Sequence, residues 1–512
     1  MKRNLLQLFC MTFVLALTNN VNAQRYVSAT FTSYTKTTLF YDTNRAVNLL
    51  YGQITGLQPI VDFPLNCDIY QPAGDTAMAR PVIILASTGS FLPPVLNRQP
   101  TGSKNDSSIV EMCMRFALKG YVAVAMNYRS GWNPGASATD APVQLIQAAY
   151  RGIQDMRACV RFMRVNASVY KIDTSKIIVG GQGTGGYIAL GVATVNSKSK
   201  ITEPKFQRGD FTPMVSVDTL GDWMGLGGNP FFHKGGDPAV AANVHMAFNY
   251  GGAMGDSLWL DAASIPIVSM QCPTDPFAPF HTGNVVVPTT GITVIPTASG
   301  AGDIIPRANR VGVNAKLNAK TYTDVYSTHA MAVSGGVNNV YPFISSFPAE
   351  SAPWEWWDRA TVQAIVNISY LGIPIPASGH VADSLALLTN PTMSAAKAKA
   401  YIDTIQGFLC PRIAAQFNLV AGSGINEVEN ASDYLSVYPN PSKTNVTVKM
   451  DKTKISISDI SVLDITGKVM QSENNLNTFE HSINVSSLNP GMYFIQVKFA
   501  NGSTVAKRLM VQ

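Results

Sequence analysis

The chain has 512 residues, a formal charge of +6 and only 14% charged residues, well below the roughly 25% of an ordinary soluble protein. The length suggests two or three domains, and a hydrophobic fraction of 46% excludes a disordered chain. The basic surplus is scattered with no run of Lys or Arg, which argues against nucleic acid as a partner, and no repeat of about 20–50 residues points to a solenoid or propeller.

Lys2, Arg3 and Asn4 precede an apolar run from Leu5 to Leu17, followed by Val21-Asn22-Ala23. A basic start, a short apolar stretch and small residues before a cut describe a secretory signal peptide over residues 1–23. The run is too short for a bilayer span, which needs about 20 residues. Its removal leaves a charge of +4 and an exported chain in which no later segment approaches a membrane span. Cys67, Cys113, Cys159, Cys272 and Cys410 then remain. An odd number leaves at least one thiol unpaired within a monomer. No Cys-x-x-Cys and no nearby His pair supports a metal site, and no cofactor is expected.

Residues 24–421 alternate strand-like and helix-like patterns. Pro81 to Ala86 and Tyr121 to Tyr128 are continuous apolar runs, as strands buried on both faces should be. Asp106 to Lys119 and Val143 to Val165 read as amphipathic helices. Lys176 to Val179 is a short strand that runs into Gly180-Gly181-Gln182-Gly183-Thr184-Gly185-Gly186, after which Tyr187 to Thr194 is helical. This alternation predicts an α/β fold with a mostly parallel sheet covered by helices.

The run Asp155 to Ala167, then Ile172-Asp173-Thr174-Ser175-Lys176-Ile177, then Gly181-Gln182-Gly183-Thr184-Gly185-Gly186 resembles the α/β-hydrolase carboxylesterases. The resemblance continues through Tyr250-Gly251-Gly252 and Thr274-Asp275-Pro276-Phe277-Ala278-Pro279. It implies that Gly181 to Gly185 is the nucleophile elbow, a G-x-S-x-G turn in that family, with Asp275 at the place of the triad carboxylate. Here the nucleophile's position is Gly183, which has no hydroxyl to activate. The resemblance places the oxyanion hole at the Thr184 N–H and at Ser87-Thr88-Gly89, where the family often reads His-Gly-Gly. For the base, His329 is the best candidate by chain order; His281 follows Asp275 too closely, and His380 comes later.

Residues 195–242 and about 283–353 are expected as insertions, the first placed as a lid over the sheet's carboxyl edge. Pro353-Trp354-Glu355-Trp356-Trp357-Asp358 concentrates tryptophans that either pack in the core or stack on sugar rings. Ser394 to Leu409 is expected to be the domain's last helix. A polar linker, 422–434, precedes short strands at Leu435–Tyr438, Val446–Met450, Ile460–Leu463 and Met492–Phe499, separated by Pro-, Asn- and Gly-rich turns, which read as a small β-sandwich. Val437-Tyr438-Pro439-Asn440-Pro441, Val462 to Val469, Leu488 to Tyr493 and Lys507 resemble the C-terminal sorting domain of the type IX secretion system of Bacteroidota. That resemblance implies a passage through the periplasm to the cell surface or beyond, with the secretion machinery as partner. The reading is thus a surface-directed α/β-hydrolase-fold protein that binds an unknown small molecule, ester or glycan without serine-triad chemistry. Two rivals stand beside it: an esterase whose nucleophile is Ser87, Ser90 or Thr184, and a glycan-binding adhesin.

Overall fold

The apolar runs become strands whose neighbours on both faces are helices. In the computed structural model, which describes residues 25–47, 60–287, 290–345, 350–419, 435–450, 456–464, 468–500 and 504–512, the chain divides into two units, Met1–Val420 and Ala421–Gln512. The expected signal peptide and linker lie outside the described residues.

The first unit is built on an eight-stranded sheet: β1 (Tyr34–Val47), β2 (Ile60–Pro72), β3 (Arg80–Ala86), β4 (Val122–Met126), β5 (Ile172–Gln182), β6 (Met246–Tyr250), β7 (Ile267–Gln271) and β8 (Val340–Pro342). The spatial order is β1-β2-β4-β3-β5-β6-β7-β8. β2 pairs antiparallel with β1 and β4; every pairing from β4 to β8 is parallel. The carboxyl ends of β3, β5, β6 and β7 therefore share one edge, where open parallel sheets offer ligand sites.

Side-chain alternation divides the core in two. Val82, Ile84, Val122, Val124, Ile177 and Val179 face helices α2 (Asp140–Val165) and α3 (Thr184–Thr194). Ile83, Leu85, Ala123, Ala125 and Ile178 face α1 (Ser107–Leu118) and a C-terminal helix, Ala395–Phe417. The latter begins where its Ser394 cap accepts the Lys397 N–H and runs past Leu409 through Pro411. Buried Arg412 stabilises that last stretch by donating to Phe408 O at 2.7 Å and Ser327 Oγ at 2.9 Å.

The stretch 283–353 is not simply an insertion, because it supplies β8, too short to stand out as a strand. Residues 195–242, expected as a lid, are fastened in part along α2 and in part, through Lys205 and Phe206, against Gly255, Asp256 and Trp259 after β6. Tyr150, Gln154, Arg157 and Arg161 donate to the carbonyls of Gly221, Leu220, Ala242 and Met224, so the helix's polar face is satisfied by the loop's backbone. Of the clustered tryptophans, Trp354 is fully buried and Trp357 nearly so, while Trp356 is only partly buried.

The second unit is a sandwich of two antiparallel sheets. Leu435–Tyr438, Asn445–Met450 and Glu480–Asn484 form one; Val469–Glu473, Ile457–Leu463, Gly491–Phe499 and Thr504–Val511 form the other. Val446, Val448, Ile460, Val462, Ile495 and Val497 fill the space between them.

At the end of β4 the buried Arg129 grips Asp155 of α2, with Nε on Oδ1 at 2.8 Å and its own backbone N–H on Oδ2 at 2.7 Å. Removing one member of such a pair strands a buried charge and costs about 3–5 kcal/mol. Asp155→Ala should lower the unfolding free energy by that amount, read from urea melts followed by tryptophan fluorescence.

Candidate functional site

β5 passes into α3 with one residue between them. That residue, Gly183, has φ +52° and ψ −116°, a region that costs a residue with a side chain about 1–3 kcal/mol and glycine little. Packing tightens the turn further. A Cβ on Gly181 would fall 2.0 Å from Gly185 O, and one on Gly185 would fall 2.0 Å from Ala86 O. The Gly183 N–H donates to Tyr250 O at 2.9 Å, and its carbonyl accepts the Gly186 N–H at 2.9 Å.

The loop after β3 closes over this turn. A Cβ on Gly183 would meet Thr88 Oγ1 at 2.3 Å and Thr88 Cβ at 3.0 Å. The Thr88 hydroxyl thus occupies the space that a side chain at 183 would need. Ser87 is buried; its carbonyl and that of Thr88 are each 3.1 Å from Tyr128 Oη, which has one proton to share between them. Thr184 Oγ1 lies 3.2 Å from the same phenol. Gly89 continues the loop with φ +129°, its Cβ position 2.8 Å from Gly102 Cα.

Asp275 stands four residues beyond β7. Its Oδ1 accepts the N–H groups of Phe277 at 2.8 Å and Ala278 at 3.2 Å, yet burial outweighs them and pushes the carboxyl up to about 7. His329 is not brought to it. It lies exposed on Val325–Val333 with Nδ1 2.8 Å from Tyr341 Oη. His281 is bound to Asp303 at 2.9 Å, and exposed His380 begins another helix. Among the described residues, no histidine hydrogen-bonds to Asp275. No group of three or more His, Cys, Asp or Glu there has the arrangement to hold a metal ion.

One residue near the turn carried no motif. Glu355 is buried, accepts Thr101 Oγ1 at 3.1 Å and receives the side-chain amide of Gln182, the residue before Gly183. Gln182 Oε1 in turn accepts Ser108 Oγ at 2.9 Å. Burial first, and the charge of Asp106 second, push Glu355 up to about 8; burial raises Asp106 to about 7 against three hydrogen bonds from Gly102 and Ser103.

Beside the turn, a cavity of about 550 Å³ opens at the same edge over β2, β4 and β3. Phe63, Leu92, Pro93, Pro94, Tyr370 and Leu371 form its apolar walls; Ser87 and Tyr128 are shared with the turn. The charged residues at its rim are already engaged: Asp62 with Arg45 and Lys234, and Lys104 with Asp68.

Residues 67–229 match the BD-FAE family, an α/β-hydrolase-type esterase domain, and residues 436–512 match the secretion system C-terminal sorting domain. No curated protein matches the chain. Among solved structures, a thermophilic esterase of the Planctomycetes species Thermogutta terrifontis with propionate bound is 14% identical, over 74% of this chain and 96% of that one, with a TM-score of 0.34. Esterase 2 of Thermogutta terrifontis phosphorylated by paraoxon is 17% identical, over 48% of this chain and 73% of that one, with a TM-score of 0.28. The sorting domain directs secretion or attachment to the cell surface through the type IX system, whose machinery is its partner.

Two outcomes follow for this site. Because Thr88 fills the space, Gly183→Ser alone should place no usable hydroxyl and should lower stability by at least the roughly 1–3 kcal/mol of backbone strain, whereas adding Thr88→Gly should recover in a urea melt only the part due to the clash with Thr88. The second concerns pH. Asp106, Asp275 and Glu355 are raised in the fold from 3.8, 3.8 and 4.5, so their stability contribution is full below about pH 4 and is lost as pH climbs to about 8. Glu355→Gln, a copy of the neutral acid, should flatten the fall in thermal midpoint between pH 5 and 9.

Proposed function

We propose that this chain, which carries an α/β-hydrolase-type esterase domain followed by a type IX sorting domain, is exported as a ligand-binding protein that forms no acyl-serine. One observation carries this reading: residue 183 is glycine and its side-chain space is taken by Thr88. Acyl transfer in this fold needs a nucleophile, a base in hydrogen-bond reach and an orienting carboxylate. Gly183 lacks the first, and among the described residues no histidine hydrogen-bonds to Asp275.

The cavity supports the binding half. Its volume lies in the range of about 300–1,000 Å³ that holds small organic ligands. The charges at its rim are mutually neutralised, so a neutral, partly apolar molecule suits it better than an ion. The ester readings of Ser87 and Thr184 lose ground on position: Ser87 is buried, and the Thr184 hydroxyl is bonded to Tyr128; Ser90 is exposed with φ +52° and is not weakened in this way. A second reading is favoured by one observation, the Thr88 hydroxyl in the nucleophile's space, which would make Thr88 the attacking group of an unconventional hydrolase.

Hydrolysis of p-nitrophenyl butyrate separates the two. The full chain should show no turnover above buffer, and the uncleaved ester should raise its thermal midpoint, a shift abolished by Leu371→Arg in the cavity wall. Turnover that disappears in Thr88→Val would overturn the binding reading in favour of the second.

A further inference from the structure

Beyond Glu355 the chain runs outward and returns to the same place at Asn390. Asn390 Nδ2 donates to the carbonyls of Ala352 and Glu355 at 3.2 and 3.1 Å, and the Ser351 N–H donates to Thr389 O at 3.1 Å. The outgoing and incoming passages are thus joined to each other, and Glu355 fastens them to Gln182 and Thr101.

Between the two passages, residues 357–387 have an organisation of their own. Trp357, Val362 and Ala386 form a small apolar cluster separate from the two cores of the sheet. Buried Asp383 accepts Trp357 Nε1 and Arg359 Nη2 at 2.9 Å each, and the Gln363 amide as well. Strands Asn367–Tyr370 and Ile373–Pro376 pair with each other as a separate hairpin. Its two turn residues, Leu371 and Gly372, have φ +52° and +81°. Turns of that kind favour Asn-Gly, so leucine is a strained choice, and Leu371 lines the cavity. Tyr370 and Ile375, each 5% exposed, pack into the core on the α2 side. Tyr370 Oη donates to Ser130 O at 2.6 Å, which ties the hairpin's tip to the loop after β4.

We propose that residues 357–387 are a lid, which swings as one body on the root at Glu355 and Asn390 and opens the cavity when the latch between Tyr370 and Ser130 parts. The Asp383 clasp and the cluster around Trp357 keep the body's shape while it moves. What it gives up on opening is the latch and the apolar contacts of Tyr370 and Ile375. A ligand that fills the cavity touches Leu371 on the lid and Phe63 on the sheet, so it favours the closed form. That last step rests on the reading of the cavity as a binding site; the motion itself does not.

Thiol labelling of the full chain with N-ethylmaleimide, without ligand, tests the motion. The five native cysteines are buried and report unfolding of the unit. Ile375→Cys puts a thiol beneath the lid, and Ala386→Cys puts one inside it. The thiol at 375 should label about tenfold or more faster than the native cysteines and the thiol at 386. Adding Tyr370→Phe should speed labelling at 375 by about a further fivefold, the effect of one lost hydrogen bond, and leave the other thiols unchanged. Labelling at 375 no faster than at the native cysteines would overturn the proposal. So would indifference to Tyr370→Phe, or equal acceleration at 386. Failure of the binding reading shows elsewhere, as a missing thermal shift with p-nitrophenyl butyrate, and leaves these rates as they are.

Discussion

The first unit depends on one residue's backbone. At φ +52° and ψ −116°, residue 183 reverses the chain between β5 and α3 with no intervening loop, and that reversal lays α3 back against the sheet. Everything nearby is arranged around it: the glycines at 181 and 185 let backbones touch, and the end of β6 supplies the carbonyl that holds the Gly183 N–H. Thr88 completes the arrangement from the β3 loop. A side chain at 183 and the side chain of Thr88 exclude each other, so the missing hydroxyl and the threonine beside it are two aspects of one packing solution.

The carboxyls below the turn follow a different logic. Glu355 ties the tryptophan-rich segment to Gln182 and Thr101 in a region without a basic partner for it. A buried carboxylate without a cation is costly, whereas the neutral acid needs only hydrogen bonds. The fold takes the second course, so the register of Trp354, packed against Gly251, is held by an acid that retains its proton near neutral pH. Burial likewise raises Asp106 and Asp275.

Much of this was legible in the chain because strands buried on both faces are written as unbroken apolar runs, and Pro81 to Ala86 or Tyr121 to Tyr128 admit few other readings. The elbow was legible because its glycines answer to steric contacts a few residues apart. Other features left no such trace. β8 has three residues, too few for a periodicity. Val469–Glu473 is largely exposed and carries no apolar alternation. The Trp354 side chain reads equally well as a platform or a plug until its neighbours are known. Thr88 and Glu355 matter through contacts with residues about 95 and 173 positions away, and no local pattern encodes such partners.

The cavity and the turn at 183 draw on different strands. Catalysis in an esterase fold needs groups that act on the transition state more strongly than on the substrate, and those would come from the ends of β5 and β7. The cavity is assembled instead from β2, the β3 loop, the end of β4 and the hairpin around Leu371. It meets the turn only through Ser87 and Tyr128, and Tyr128 is held by the Ser87 and Thr88 carbonyls, which are backbone atoms that no substitution at 183 removes. The shape of the cavity walls therefore does not depend on which side chain stands at 183.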